Sequence, residues 1–180
     1  FSIESDFVEQ NPTLVRPYQE GMMLCEDEIK LFTNDKAGKA GRASWYVAQK
    51  TVIKTGLDYL YRWKVVVSSA NAGGQKRSNQ IAVLDNRSAF GRSRVALKTF
   101  DTEKEARNFY TYCQTDFIRY AFLLTDEALT SLGKLVPDLL DYTDDNGIID
   151  YTQDVNAQLY RLFGIDESMQ AIIKKTLSER

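Results

Sequence analysis

The sequence predicts an α+β or α/β fold with a small, mostly antiparallel sheet, one long helix and further helices toward the C-terminus. Stretches that alternate between apolar and polar residues, which are typical of strands, end near residue 100. Beyond that point the apolar residues recur at helical spacing instead. With 180 residues, of which 43% are hydrophobic, the chain is long enough to bury a core without disulfides or metal ions.

The first hundred residues divide into two predicted parts. Residues 1–35 form an N-terminal connecting segment, in which Pro12 and Pro17 interrupt any long helix. Residues 36–100 form a basic, β-rich part. A strand or mixed element is expected at residues 45–53, followed by strands at 62–69, 81–84 and 94–99. Loops are expected at residues 34–43, 70–79 and 86–93.

Residues 101–180 form the predicted helical part, which would pack on the sheet. Thr102 and Glu105 fit a capping box. It would open one long amphipathic helix, whose apolar positions run from Ala106 to Leu124. Residues 138–154 contain six Asp and no basic residue, which predicts an acidic loop.

Two short helices are expected to close the chain, each capped by an aspartate. Asp154 would begin the first, which ends at Gly164, and Asp166 would begin the second. The second helix is expected to turn four apolar side chains inward: Met169, Ile172, Ile173 and Leu177.

The net charge of −2 conceals an uneven distribution. Residues 36–98 contain 13 Lys and Arg but only two acidic residues, Asp58 and Asp85, which gives this segment a charge of +11. The rest of the chain carries −13. A surface that binds a polyanion requires such a basic segment, although a solvated surface without a specific partner has the same pattern.

Several kinds of active site are excluded by composition or spacing. The chain has no His, which removes Ser-His and Cys-His nucleophiles and most zinc sites. Gly73-Gly74 lacks the third glycine of a dinucleotide-binding loop, and no Walker A motif is present. Glu28-Ile29-Lys30 has the acid-x-Lys form of many nucleases but no convincing acidic partner upstream.

The remaining global features indicate a cytoplasmic protein. Cys25 and Cys113 have no metal-ligand spacing and are expected to be buried free thiols in a reducing compartment. No apolar run of about 18 residues and no basic leader segment is found, so no membrane partner is expected. Because the sequence starts at Phe1, we expect a fragment of a longer chain.

Five stretches together resemble the C-terminal target-recognition region of type II restriction-modification enzymes built on an adenine-N6 DNA methyltransferase. They are residues 62–67 ("YKV" strand), 99–106 ("F-x-T-x-E-E-A"), 114–120 ("T-K-F-x-R"), 136–143 ("V-P-x-L-D-W-S") and 159–165 ("L-Y-x-x-F-G-L"). Asp116 stands where the family has Lys, and Tyr142 where it has Trp. The methyltransferase's glycine-rich cofactor loop and its Asn-Pro-Pro-aromatic tetrad are absent from the chain.

The resemblance implies sequence-specific recognition of double-stranded DNA, with no active site in this chain. S-adenosylmethionine would belong to the intact enzyme, as would Mg²⁺ where an endonuclease is fused to it, and the methyltransferase domain of the same polypeptide would be a partner. The basic, β-rich part at residues 36–100 would read the DNA, and the helical part at residues 101–180 would pack on the sheet and on the rest of that enzyme. Because the target base must leave the stack to be methylated, the recognition domain must hold the duplex while it is distorted.

Side-chain chemistry divides the candidate DNA-binding residues into classes. Lysines suit phosphates, arginines offer two donors to guanine, and amides pair with adenine. The phosphate candidates are Lys39, Lys50, Lys54 and Lys64; the guanine candidates are Arg77, Arg87, Arg92 and Arg94; the adenine candidates are Asn71, Gln75 and Asn79; Arg42 and Lys76 complete the set.

Two other functions are consistent with the sequence. The main alternative is a protein-interaction module whose basic strip binds an acidic partner. The second is an independent enzyme with an unfamiliar site, which the lack of His disfavours. Salt-dependent binding to duplex DNA would separate recognition from both.

Overall fold

The computed structural model describes residues 2–68, 81–125 and 132–179. Within these ranges, strands precede the main helices along the chain, which confirms the predicted α+β arrangement. The strands are β1 (Ser2–Ile3), β2 (Val15–Pro17), β3 (Glu28–Asn34), β4 (Ala43–Gln49), β5 (Trp63–Ser68), β6 (Ile81–Leu84), β7 (Ser88–Gly91) and β8 (Arg94–Phe100). The helices are α1 (Phe7–Gln10), α2 (Leu57–Leu60), α3 (Glu103–Gln114), α4 (Asp116–Leu123), α5 (Val155–Leu162) and α6 (Glu167–Ser178), with a 3₁₀ turn at Lys50–Val52.

The first sheet has five strands in the order β1-β7-β3-β4-β2. At its centre, β3 and β4 form an antiparallel hairpin in which Glu28 pairs with Gln49 and Asn34 with Ala43. β2 runs antiparallel to β4, whereas β7 lies parallel to β3, and β1 lies parallel to β7. Three of these strands come from residues 1–35, so the predicted boundary at residue 35 does not coincide with a boundary in the sheet.

The second sheet is antiparallel, in the order β6-β5-β8, and matches the three strands predicted between residues 62 and 99. Its register places Val67 beside Ile81 and Ser68 beside Arg94. A bulge between Val65 and Val66 shifts the pairing with β8. The predicted loop at 70–79 lies outside the described residues.

The two sheets pack face to face, and the C-terminal helices cover the second sheet. Val66 and Leu84 meet Phe90 between the sheets. On the other side of the second sheet, Val65 and Phe100 join a large core with α3, α4 and α5. A third cluster, which includes Leu31 and Leu60, lies on the outer face of the first sheet.

The long helix expected after residue 102 is two helices. The capping box is confirmed: the Thr102 hydroxyl accepts from Glu105 N, and the Glu105 carboxylate accepts from Thr102 N. The break comes at Thr115, whose backbone is extended (φ −64°, ψ 148°). Its hydroxyl donates to Tyr112 O and accepts from Ile118 N, so one buried side chain ends α3 and caps α4.

The two C-terminal helices begin at the predicted caps. The Asp154 carboxylate accepts from Ala157 N and that of Asp166 from Met169 N. The prediction that four apolar residues of α6 turn inward is half wrong: Ile173 and Leu177 are buried, but Met169 and Ile172 are 39% and 47% exposed. Residues 138–154 contain no helix or strand, as the acidic loop prediction required.

Two further observations concern the chain as a whole. Among the described residues, none of the helices combines the length and apolar character needed to cross a bilayer. Cys113 is a buried free thiol, as expected, but Cys25 is exposed, because it lies in the turn before β3 rather than in a core element.

Candidate nucleic-acid interface

The β3–β4 hairpin ends in an exposed basic loop at residues 35–42. Asp35 closes it, because its carboxylate and backbone N–H both bond the backbone of Arg42. Glycine is required at position 41 because the carbonyl oxygen of Lys36 lies where a Cβ would be. Lys36, Lys39 and Arg42 are exposed, and none of these side chains forms an ion pair with a described residue. Lys36 was not among the predicted DNA-binding residues.

The register of the two sheets gathers other parts of the basic segment at the same place. Arg94 begins β8 beside Ser68, and its Nη1 lies 3.4 Å from Asn34 Oδ1 at the end of β3. Ile81 pairs with Val67, so both residues that flank 69–80 lie there as well. We call this region the hairpin end; it comprises residues 34–42, Ser68, Ile81 and residues 91–94.

Arg92 also lies at the hairpin end. Its backbone N–H donates to Ile3 O at 2.9 Å, and its guanidinium pairs with Glu4 at 3.0 Å. Both side chains of this pair are more than half exposed, so the pair contributes little to stability and leaves the arginine free to exchange partners.

Five predicted residues belong to the segment that follows Ser68 and lie outside the described residues: Asn71, Gln75, Lys76, Arg77 and Asn79.

Three predicted residues lie at the opposite end of β3, about 20 Å from the hairpin end at the usual rise of a strand. Lys50 pairs with Asp27 at 2.5 Å, and Lys54 Nζ donates to Thr51 O at 2.7 Å. The Arg87 guanidinium donates to Cys25 O and to Glu28 O, so it holds the turn before β3. The structure therefore does not bring the predicted residues together on one surface.

Lys64 is the clearest correction to the predicted DNA face. Its side chain is fully buried, and its ammonium donates to the carbonyl oxygens of Leu60, Asp85 and Ser88. Burial lowers the pKa of Lys64 to about 8, against the opposing effect of the Asp85 charge. The face of β5 that carries Lys64 is covered by the first sheet, so the ammonium does not reach a phosphate.

Arg94 is also buried, with 9% of its surface exposed. Its guanidinium carbon lies 4.2 Å from the centroid of the Phe32 ring, and Phe32 stacks on Trp45 at 4.9 Å between centroids. Burial lowers the pKa of Arg94, with no described acid opposing it.

The acid-x-Lys sequence at residues 28–30 is engaged in structural contacts. The Glu28 carboxylate accepts from Arg16 Nη1 at 2.6 Å and from Cys25 N at 2.9 Å, while Lys30 pairs with Asp85. Arg16 holds the pKa of Glu28 at about 2. Within residues 2–68, 81–125 and 132–179, no group of three potential ligands could hold a metal ion.

A cleft of about 560 Å³ lies between α1, β2 and β4. Several polar groups in its lining are already bonded within the chain: Arg16 pairs with Glu28, Asn11 donates to Phe7 O, and Lys54 donates to Thr51 O. These three side chains are therefore engaged in contacts within the chain.

Comparison of the chain with protein-family models, with curated proteins and with solved structures finds no significant match.

Proposed function

We propose that this chain recognises a double-stranded DNA sequence for an adenine-N6 methyltransferase of a restriction-modification system, and that it acts in the cytoplasm. The observation that supports it best is the hairpin end. Exposed Lys36, Lys39 and Arg42 gather there with Arg92 and Arg94. Residues 69–80, whose two flanking residues lie at the same end, contain no Asp or Glu.

The charge pattern favours contact with a polyanion at the hairpin end rather than along the whole basic segment. Internal acceptors already bind the side chains of Lys50, Arg87 and Lys64, so these cations are less available to a ligand. Lys36 and Lys39 form no ion pair with a described residue, although the Asp35 and Glu9 carboxylates lie beside the loop. Lysine contacts with phosphate groups supply most non-specific affinity for DNA. Base reading would fall to the amides of residues 69–80, to Arg77 and to Arg92.

The helical part supports the proposed attachment to a methyltransferase domain of the same polypeptide. Neighbouring ends of α5 and α6 leave apolar side chains open: Leu162, Phe163, Met169 and Ile172 are each between 39% and 50% exposed. Exposed apolar patches of this kind mark interaction surfaces. Methyl transfer from S-adenosylmethionine, and any Mg²⁺-dependent cleavage, would be carried out by the rest of that enzyme.

The test compares two triple variants with the same change in net charge. Lys36→Glu/Lys39→Glu/Arg42→Glu alters the hairpin end, where the fold uses only the backbone of Arg42. Lys54→Glu/Lys174→Glu/Lys175→Glu alters exposed lysines elsewhere. Affinity for a mixed-sequence duplex is measured by fluorescence anisotropy across a salt series.

We expect the hairpin-end variant to bind the duplex about tenfold or more weakly than the wild type. The slope of log affinity against log salt concentration should become shallower by about 0.9 for each phosphate contact that is lost. The matched variant should stay within about twofold. Equal losses in both variants would contradict the assignment. Binding to poly-glutamate as tight as to duplex DNA would instead favour the alternative, a module that binds an acidic protein.

A further inference from the structure

Arg94 is held in a fixed plane at the hairpin end. Its guanidinium lies over Phe32, and its Nη1 contacts Asn34 Oδ1 at 3.4 Å and Ser93 Oγ at 3.2 Å. Both contacts are long and use the same nitrogen. The Nε–Nη2 edge, which is the edge that grips a carboxylate or phosphate with two parallel hydrogen bonds, has no acceptor among the described residues.

No described residue supplies a counter-charge to Arg94. Three other arginines of the β part have one: Arg16 pairs with Glu28, Arg62 with Asp101 and Arg92 with Glu4. Arg42 has no such pair but is exposed, and the Arg87 guanidinium donates to backbone carbonyl oxygens. Arg94 forms no ion pair with any described residue, although it is the most buried of these arginines. Residues 69–80, which follow its strand partner Ser68, contain no Asp or Glu that could pair with it.

A buried cation without a counter-ion costs folding free energy, because desolvation is not offset by a nearby negative charge. A Met side chain would fill the same space over Phe32 without this cost. The arrangement is therefore better suited to a bound anion than to folding. A formal negative charge offsets the desolvation of the guanidinium, whereas the N7 and O6 atoms of guanine are neutral acceptors.

We propose that Arg94, oriented by Phe32 and flanked by Asn34 and Ser93, binds one phosphodiester group of the DNA backbone. This inference rests on the proposed function, and it changes the role of Arg94 from base reading to phosphate binding. Because the Arg94 guanidinium is already held over the Phe32 ring, little side-chain entropy is lost when the phosphate binds. Arg94 thus sets the register of the duplex on the hairpin end and carries no sequence preference itself.

The experiment uses two variants. Arg94→Met removes the charge and keeps the contact with Phe32, whereas Arg94→Lys keeps the charge but lacks the two parallel donors of the guanidinium. We expect Arg94→Met to unfold at the same temperature as the wild type or higher. Its affinity for every duplex tested should fall about tenfold. The slope of log affinity against log salt concentration should become shallower by about 0.9, because one phosphate contact is lost. Arg94→Lys should lie between the two, because an ammonium binds phosphate without the bidentate geometry.

A second measurement needs no DNA. Sodium phosphate, compared with sodium chloride at equal ionic strength, should raise the unfolding temperature of the wild type more than that of Arg94→Met, because binding at the site adds to the general stabilisation that phosphate gives a folded protein. If phosphate does so while duplex DNA fails to bind the wild type, the anion site stands and the proposed function falls. An equal effect of phosphate on both proteins overturns the anion site.

Two further results would overturn the proposal. A lower unfolding temperature for Arg94→Met would show that the guanidinium serves the fold. A loss of affinity confined to duplexes altered at one base pair would show that Arg94 reads a base. A smaller phosphate effect in Arg94→Met than in the wild type, together with a uniform loss of DNA affinity, supports it.

Discussion

Tyr142 donates its hydroxyl hydrogen to Asp138 Oδ1 at 2.7 Å, and the other oxygen of that carboxylate pairs with Lys98 of β8 at 2.6 Å. The same hydroxyl accepts from Leu139 N at 3.1 Å. The turn at residues 138–142 is therefore fastened to the second sheet through one carboxylate. Tyr142 itself is buried against Phe100 and Phe109, which joins the acidic loop to the main core.

We expect Tyr142→Phe to lower the free energy of unfolding by about 1–2 kcal/mol, because Leu139 N and Asp138 each lose a partner in a buried setting. Tyr151→Phe is the matched control. Its hydroxyl is buried without a hydrogen-bond partner among the described residues, so its removal should be neutral or stabilising. Urea denaturation measures both, and an equal loss in the two variants would contradict the assigned role of the Tyr142 hydroxyl.

Lys64 is expected to be needed for folding rather than for DNA binding. Lys64→Met leaves three buried carbonyl oxygens without their charged donor and should cost about 2–4 kcal/mol. Lys54→Met, which alters an exposed lysine bonded to one carbonyl, should cost less than about 0.5 kcal/mol. Thermal or urea unfolding distinguishes them. A fully stable Lys64→Met protein with weakened DNA binding would restore Lys64 to the predicted DNA face.

The pKa of Lys64 also predicts a dependence of stability on pH. It is about 8 in the folded chain and 10.5 for an ordinary lysine, so between these values the unfolded state binds more protons. The free energy of unfolding contributed by Lys64 therefore rises with pH from about 8 to 10.5 and is constant below about 8. We expect the wild type to gain about 2 kcal/mol over Lys64→Met between pH 7 and 9.5. A difference that stays constant with pH would contradict this.

Gly91 and Thr33 are predicted to be coupled. A Cβ at Gly91 would overlap Thr33 Oγ1 across the β3–β7 pair, so Gly91→Ala should cost about 1–3 kcal/mol. Removing the hydroxyl in Thr33→Ala/Gly91→Ala should recover part of that loss, although the Thr33 Cβ would still lie 3.0 Å away. The measurement is a double-mutant cycle in urea. Additive effects would mean that the strands separate to admit the methyl group.

Glu28 should make the chain sensitive to acid. Arg16 and the N–H of Cys25 hold its pKa at about 2, below the ordinary 4.5, so the stabilisation is complete above about 4.5 and is lost as the pH falls toward 2. Glu28→Gln should be less stable than the wild type at pH 6, and the two should converge near pH 2. Glu103→Gln, at an exposed i,i+4 pair, is the control and should follow the wild type.

Much of the fold could be predicted because it depends on neighbours in the chain. The strands at 63–68 and 94–100 alternate in part between polar and apolar residues, and the strand at 81–84 is a short apolar run. The caps at Thr102, Asp154 and Asp166 bond to an N–H three residues away. Such local signals are readable in the sequence because the partners lie within one turn or one strand. The excess of basic residues between positions 36 and 98 can also be read directly from the sequence.

The first sheet could not be predicted in the same way. Its pairs join residues far apart, as when Ser2 pairs with Phe90, and neither two-residue β1 nor four-residue β7 is long enough to show alternation. The break at Thr115 also escaped prediction, because apolar spacing runs through it unchanged and only the side-chain hydrogen bonds stop the helix.

The sequence by itself determined that a basic segment exists, that the chain has no His, and where most second-sheet strands and helix caps lie. Only the tertiary structure decided which cations remain available to a ligand. By covering one face of β5 and β8, the first sheet buries Lys64 among carbonyl groups and Arg94 on Phe32, while the hairpin loop leaves Lys36, Lys39 and Arg42 in solvent. Charge is a property of each residue, but its solvation and its partners depend on the contacts between distant parts of the chain.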